Sequence, residues 1–183
     1  MSLPDHLHWL RIALEEARKS PPKPTNFCVG ACLVSPSTSP EPLVTGFTLE
    51  CEGNTHAEQC CFIKLAHALN PPSSSVQTTE GIESPEEIIG PHLPEDTILY
   101  TTMEPCNKRS PGNTPCTERI LAVKRDDGSP AIKTVVCGVG EPETFVGVNE
   151  GKKKLQDAGI EVVHASGLEA YILKVAKAGH VQE

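Results

Sequence analysis

The sequence predicts a three-layer α/β/α sandwich, in which helices cover both faces of a five-stranded mixed sheet. Three observations predict it. Short apolar runs bounded by turn residues alternate along the chain with segments of helical periodicity. The first two apolar runs flank one proline- and serine-rich loop, which is typical of a hairpin. The last two runs are separated by a helical segment, and strands joined by a crossover of that length are expected to be parallel.

Each element follows from these patterns in chain order. Leu7, Leu10 and Leu14 have helical spacing in the first helix, and Pro71 with Pro72 ends the second. We predict helices over Asp5–Arg18, from after Thr55 through Leu69, and over Thr114–Val123, Phe145–Ala158 and Leu168–Ala178. We predict strands over Phe27–Val34, Leu43–Glu50, Thr97–Thr102, Ile132–Cys137 and Ile160–Val163.

Length and composition limit the classes of protein that fit. The 183 residues suit one domain spanning residues 1–183, because typical domains have about 100 to 200 residues. A net charge of -8 argues against a nucleic-acid partner, which needs a basic face. No apolar run approaches the roughly 20 residues of a membrane span, so we expect a cytoplasmic protein without a membrane partner. Eight cysteines without a secretory signal favour reduced thiols or metal ligands over disulfides.

The negative charge is concentrated in one segment. Residues 71–96 hold five prolines, six acidic residues and no Lys or Arg. Such a composition buries little apolar surface, so we predict a partly disordered surface insertion that Ile88 and Ile89 hold to the domain. The rest of the chain is nearly neutral, which leaves room for a small phosphorylated ligand held by local cations.

Two short stretches carry the chemistry. His56 and Glu58 stand at the start of the second helix, while Cys106 follows a predicted strand and Cys116 opens the next helix. Taken alone, the run from Thr55 to Glu58 matches a capping box, which is a purely structural feature. One imidazole and two thiolates, however, make three ligands for a tetrahedral zinc whose fourth position stays open for water, as in catalytic sites. We therefore predict a Zn²⁺ site.

The surroundings of these residues favour the same interpretation. Thr114 as N-cap and Pro115 at the first helical position place Cys116 at a helix start, where the amide dipoles favour a thiolate. Glu58 lies two residues after His56, so it is placed beside the open position and outside the ligand set. We predict that it carries protons during a hydrolytic reaction.

These stretches match the signature of zinc-dependent deaminases, His-x-Glu followed by Pro-Cys and a second Cys. The nine residues between Cys106 and Cys116 exceed the usual two, and the chain here resembles the pyrimidine deaminases of riboflavin biosynthesis, which have an extended loop. The stretches from Asn26 to Ala31 and from Gly140 to Val162 are similar to the same family. The resemblance implies a cytidine-deaminase type of sheet and a homodimer.

Within that family the chain is most similar to the fungal form. That form deaminates 2,5-diamino-6-ribitylamino-4(3H)-pyrimidinone 5'-phosphate, a small phosphorylated pyrimidine. The 183 residues leave no room for the reductase domain of bacterial relatives, so a stand-alone deaminase is expected. The resemblance implies that Asn26 and the Ala57 amide hold the pyrimidine, and that Asn107, Lys108 and Arg109 meet the sugar phosphate.

Several alternatives remain open from the sequence. Lys108 and Arg109 also fit solvated surface charges, and Glu50 and Asn54 are weaker candidates for the ribityl hydroxyls. Lys152, Lys153 and Lys154 fit the exposed face of a helix better than a phosphate site. The same chemistry would suit cytosine, deoxycytidylate or tRNA adenosine as substrate. A structural zinc module or a scaffold that only binds is a different class, although such a site has no use for Glu58.

Overall fold

The computed structural model describes residues 5–71, 84–140 and 150–180. Its strands are β1 (Gly30–Val34), β2 (Val44–Phe47), β3 (Ile98–Met103), β4 (Thr134–Val139) and β5 (Glu161–His164). Its helices are α1 (His6–Ala17), α2 (Ala57–Leu69), α3 (Pro85–Ile89), α4 (Cys116–Ala122), α5 (Gly151–Asp157) and α6 (Glu169–Ala176), with one 3-10 turn at Gly90–His92. None of these helices is long and apolar enough to cross a membrane.

The five strands form one mixed sheet in the order β2-β1-β3-β4-β5. β1 pairs antiparallel with β2 as a hairpin and antiparallel with β3, with Ala31 opposite Gly46 and Thr101. β3, β4 and β5 are parallel, with Val135 opposite Leu99 and Val162. The predicted fold class is confirmed, including the parallel arrangement of the last two strands.

Two apolar cores lie on opposite faces of the sheet and make the three layers. On one face α1 and α6 pack with residues such as Leu10, Tyr100 and Ile172. On the other face the core includes residues of α2, α3, α4 and α5, among them Phe62 and Ile120. β1 and β3 are buried on both faces, so β1 is a continuous apolar run, whereas β3 also contains the buried Thr101 and Thr102.

Element boundaries differ from the sequence prediction where local chemistry competes with periodicity. The first strand begins at Gly30 and not at Phe27. Just before it, the Cys28 amide donates to the Ala176 carbonyl and the Val29 amide to the Thr48 hydroxyl, so neither amide pairs with a neighbouring strand. The N-cap of α4 is Pro115, one residue later than the predicted Thr114, and its side chain makes no capping bond. Part of the predicted helix over Phe145–Ala158 lies outside the described residues, and α5 begins at Gly151.

The described half of the acidic segment packs against the core. Ser84 caps α3 by accepting a hydrogen bond from the Glu87 amide, and Ile89 is fully buried. Glu86 forms an ion pair with Arg119 of α4 at 2.7 Å, with both side chains largely buried. Residues 84–96 therefore brace the helix that begins at Cys116, while residues 72–83 of the predicted insertion lie outside the described residues.

Candidate metal centre and active site

Three potential metal ligands meet where two helices begin and one strand ends. His56 directly precedes α2, Cys116 is the first residue of α4, and Cys106 follows β3 by three residues. His56 Nδ1 lies 3.5 Å from Cys106 Sγ and 3.3 Å from Cys116 Sγ. The three donor atoms lie within 4.8 Å of one another, and no other group of three such residues is found in the described ranges.

These distances fit a tetrahedral zinc ion. Zn–S bonds of about 2.3 Å and Zn–N bonds of about 2.0 Å, at a tetrahedral angle, separate a sulfur from a nitrogen ligand by about 3.5 Å. The two nitrogen–sulfur distances are within 0.2 Å of that value. A set of one imidazole and two thiols also suits zinc chemically, and it leaves one coordination position for a non-protein ligand.

The capping box that the sequence allowed at α2 does not form. Thr55 Oγ1 donates to the Cys51 carbonyl at 2.8 Å, and His56, the N-cap residue, makes no side-chain capping bond. The Glu58 carboxylate accepts from its own backbone amide and from the Thr101 hydroxyl, which comes from another element. The Glu58 side chain is turned toward the cluster, where a capping carboxylate would have been turned toward the backbone of the N-cap residue.

Glu58 is 3% exposed and lies beside the cluster without joining it. The Thr101 hydroxyl donates to Glu58 Oε1 at 3.1 Å, and Cys116 Sγ lies 3.3 Å from Oε2. Burial raises the pKa of the Glu58 carboxyl, while the nearby His56 imidazole opposes that rise. A carboxyl with a raised pKa can both accept and return a proton near neutral pH.

The two thiols of the cluster differ in acidity. A hydrogen bond from the Cys116 thiol, followed by the interaction with His56, lowers the pKa of Cys106 to about 4. The pKa of Cys116 is raised, first by that shared hydrogen bond and then by burial. The Cys116 amide also donates to Cys106 Sγ at 3.4 Å. Of the two thiols, that of Cys106 is therefore the one that more readily becomes a thiolate, the form that binds a metal ion.

The cluster opens into a cavity of about 720 Å³. His56, Glu58 and Cys106 form one part of its wall, and Lys108 and Arg109 from the loop between the two cysteines form another. A volume of this size is typical of sites for small organic ligands.

Four of the seven predicted substrate-binding residues line this cavity, namely Asn26, Asn54, Lys108 and Arg109. Glu50 does not line it, because its carboxylate pairs with Lys64 Nζ at 2.6 Å and accepts from the Phe47 amide. Ala57 and Asn107 are buried and are also not part of its wall.

Arg109 is held in place by contacts across the site. Its guanidinium donates to the Asn54 carbonyl at 2.6 Å, to Gln59 Oε1 at 3.3 Å and to the Thr114 carbonyl at 3.5 Å. These bonds fasten the cysteine loop to the segment before α2 and to α2 itself. Arg109 therefore shapes the cavity wall, which leaves Lys108 as the exposed cation of this loop.

Sequence reasoning missed several residues of the site, among them Thr101, Glu104 and His180. Thr101 contacts Glu58 from β3, whereas Glu104 and His180 line the cavity. Thr101 and Glu104 belong to the stretch that leads to Cys106, so their proximity to the cysteine was a usable signal. His180 is 154 residues away from its partner Asn26, and nothing in the sequence links the two.

Known families and proteins that are similar to this chain include deaminases with a zinc-binding region. Residues 4–139 match the family described as "Cytidine and deoxycytidylate deaminase zinc-binding region". A diaminohydroxyphosphoribosylamino-pyrimidine deaminase from Schizosaccharomyces pombe is 34% identical over 176 residues. That match covers 96% of this chain, which spans 36% of the length of the relative.

Solved structures support the same relationship. The Rib2 deaminase of Aspergillus oryzae, studied as a C-terminal deletion mutant at pH 4.6, is 41% identical with a TM-score of 0.80. The match covers 97% of this chain and 93% of that one. The same enzyme in complex with DARIPP is 40% identical, with a TM-score of 0.77 and coverage of 96% and 91%.

Proposed function

Because this chain belongs to the cytidine and deoxycytidylate deaminase zinc-binding family, we propose that it hydrolytically deaminates 2,5-diamino-6-ribitylamino-4(3H)-pyrimidinone 5'-phosphate. The products are the 5-amino-2,4-dione and ammonia. The likeness to the Aspergillus Rib2 deaminase over 97% of this chain supports this substrate class within the family. We assign the activity to riboflavin biosynthesis on the same basis.

One observation carries the proposal. A buried carboxylate that is not a ligand, that of Glu58, stands 3.3 Å from the Cys116 sulfur. Glu58 lines the same cavity as His56, Cys106 and Lys108. A structural zinc site would have no use for that carboxylate or for an open coordination position. A cation at the other part of the wall suits a substrate that carries a phosphate.

His56 Nδ1, Cys106 Sγ and Cys116 Sγ would hold the zinc ion. When bound, zinc supplies a water whose pKa is lowered toward 7 as the nucleophile. His56 directly precedes α2 and Cys116 is the first residue of α4, so two of the three ligands stand at helix starts.

Glu58 performs both proton transfers in this proposal. The Thr101 hydroxyl occupies Oε1, so the carboxylate holds the transferred proton at Oε2, the oxygen on the side of the cluster. Glu58 accepts the proton that the attacking water loses and delivers it to the ring nitrogen. It then takes the proton of the new hydroxyl group on the ring carbon and passes it to the amine, which departs as ammonia and leaves a carbonyl. The raised pKa of this carboxyl makes it a sufficient acid for the second transfer.

Asn26 and the backbone amide of Ala57 hold the pyrimidine edge. Asn26 Oδ1 is buried in the cavity wall and has no partner among the described residues, so a substrate donor would satisfy it. Lys108 binds the phosphate, while Arg109 fixes the loop. Asn54 meets the ribityl chain. Asn107 and Glu50 do not line the cavity, and Glu50 pairs with Lys64 and accepts from the Phe47 amide.

The domain organisation, the oligomeric state and the cellular location belong to the same proposal. We expect one deaminase domain over residues 1–183, with 71–96 as an insertion, and a homodimer in the cytoplasm. Light scattering at micromolar concentration tests the dimer, and a monomeric mass would exclude it.

A substrate comparison tests the function. Ammonia release is measured with the zinc-loaded protein and the ribitylamino pyrimidine phosphate, its ribosylamino counterpart, cytidine and deoxycytidylate. The ribosyl compound is included because the name of the Schizosaccharomyces relative specifies a phosphoribosylamino substrate. We expect the highest kcat/KM with the ribityl compound. Turnover of cytidine or deoxycytidylate, without turnover of the ribityl compound, would refute the proposal.

A further inference from the structure

The turn that follows α6 reaches the wall of the active-site cavity. His180 lines this cavity together with His56 and Glu58. It lies outside residues 4–139, the part of the chain that matches the family. The family match itself therefore says nothing about this turn.

Several contacts fix the turn on the segment that leads into β1. The Cys28 amide donates to the Ala176 carbonyl at 2.9 Å, and His180 Nε2 lies 2.9 Å from the Asn26 carbonyl. The rings of Phe27 and His180 stand 4.8 Å apart between centroids. A backbone, a side-chain and a ring contact thus join residues 176–180 to residues 26–28.

Gly179 makes the close approach possible. A Cβ at this position would lie 2.3 Å from the Lys23 nitrogen and 2.6 Å from its carbonyl oxygen. Both atoms are backbone and cannot move aside like the end of a flexible side chain. Only glycine allows the turn to sit this close to residues 23–26, and this closeness brings His180 to Asn26.

The hydrogen bond defines the state of the His180 ring. A carbonyl oxygen only accepts, so Nε2 must carry the hydrogen. The neutral Nε2–H tautomer and the imidazolium both meet this condition. The bond thus supports Asn26 from behind in either charge state, while the Asn26 side chain lines the cavity with its Oδ1 unpartnered among the described residues.

We propose that the turn at residues 177–180 is part of the substrate-binding site, and that His180 is a positioning residue which holds Asn26 against the pyrimidine. This inference rests on the proposed function, because the pyrimidine is the ligand that Asn26 would meet. His180 acts through Asn26 and takes no part in the proton transfers.

Substitutions at His180 separate its hydrogen bond from its ring. In His180→Phe the ring remains but the donor is lost, so KM for the ribitylamino pyrimidine phosphate should rise about five- to tenfold, as for one lost hydrogen bond. The kcat per bound zinc should stay unchanged. His180→Gln keeps an N–H donor and should restore most of the affinity. His8→Phe, at an exposed histidine of α1 outside the cavity, is the matched control.

Two further variants test the route through Asn26. In an Asn26→Ala background, His180→Phe should add no further change in KM, since the side chain that it positions is gone. Gly179→Ala keeps the histidine side chain at position 180 but forces the turn away from Lys23. It should therefore raise KM as His180→Phe does. A normal KM in both His180→Phe and Gly179→Ala would overturn the proposal. A KM increase that is fully additive with Asn26→Ala would also overturn it.

A measurement without substrate keeps this inference separate from the proposed function. Hydrogen exchange of the amides at residues 26–28 should be faster in His180→Phe than in the parent, while the zinc content of both stays the same. Unchanged exchange would overturn the positioning role even if the parent deaminates the substrate. If the parent releases no ammonia, the proposed function fails, and this exchange still decides whether the turn holds Asn26.

Discussion

The metal-ligand cluster and the rim of the cavity face the same space, but they are built differently. His56, Glu58 and Cys116 stand at the starts of two helices that pack on the sheet, and Glu58 and Cys116 are 3% and 0% exposed. Lys108 and Arg109 lie on a loop, and His180 lies on a turn after the last helix. The cluster is thus fixed by the core, whereas the rim is fixed by hydrogen bonds and a ring contact between loop segments.

This difference predicts which kinetic parameter a substitution in each region should change. Substitution in the cluster removes chemistry or metal, so it should affect kcat or zinc content. Substitution in the rim removes contacts to the substrate, so it should affect KM while the metal remains. A cluster variant that changes only KM, or a rim variant that changes kcat or zinc content, would contradict this distinction.

The largest effect is expected at Glu58. Glu58→Gln keeps the size of the side chain but removes the proton carrier, so kcat should fall by about 10³ or more, near the upper part of the range for general acid–base catalysis. Zinc content and melting temperature should stay close to those of the parent. Activity above a few per cent of the parent in a fully zinc-loaded sample would contradict the assignment.

Loss of a ligand should come next. Cys106→Ser replaces a sulfur ligand by a poorer oxygen one, and zinc affinity should fall by more than about 100-fold, because even outer-shell partners contribute about 10- to 100-fold. Metal analysis after dialysis against a chelator measures it. Cys51→Ser, at a half-exposed cysteine outside the cluster, is the matched control and should retain its zinc. Equal zinc content in the two variants would remove Cys106 from the ligand set.

A smaller effect is expected at the rim. Lys108→Ala removes the exposed cation of the cysteine loop, and KM should rise about 10- to 100-fold for the phosphorylated substrate, as for a charge-assisted hydrogen bond. The dephosphorylated substrate should show equal KM values with parent and variant. Lys154→Ala, at an exposed lysine of α5, is the control. A Lys108→Ala effect of the same size on both substrates would refute phosphate recognition by this residue.

The smallest effect is expected at Asp96, outside both regions. Burial raises the pKa of this carboxyl, but hydrogen bonds from the Ser35 hydroxyl and the Ser37 amide outweigh it, so the pKa is lowered. A lowered pKa in the folded state contributes stability above the unfolded value of about 3.9, and that stability is lost as pH falls through the folded pKa.

Asp96→Asn should therefore lower the free energy of unfolding at pH 7 by no more than about 1 kcal/mol, since solvent screens this half-exposed group. The difference from the parent should shrink below about pH 4. Urea titrations at several pH values measure it. A difference in the free energy of unfolding that grows as pH falls would contradict the direction of the pKa shift. Any change in KM would show that the contact of Asp96 with Ser35 and Ser37 is coupled to the cavity rim.

The fold class and the chemistry of the cluster could be predicted from the amino-acid sequence alone. Periodicity is a local property, so most helices and strands were predicted within a few residues of their observed bounds. The exception is the short helix α3, which lies in the segment that was predicted to be a partly disordered insertion. His56, Glu58, Cys106 and Cys116 were recognisable because a metal site needs particular donor types at helix starts, and those types are visible in the letters. At Glu58 the local pattern was ambiguous, since a capping box and a proton carrier have the same letters.

The tertiary contacts distinguish the capping role of Glu58 from its role as a proton carrier, because Thr101 and Cys116 contact its carboxylate from other elements. The same is true of the rim. Whether Arg109 binds a ligand or fastens a loop depends on Asn54 and Gln59, and the partner of Asn26 is 154 residues away. Contacts between distant segments arise from packing on the sheet, which the pattern of any single segment does not record.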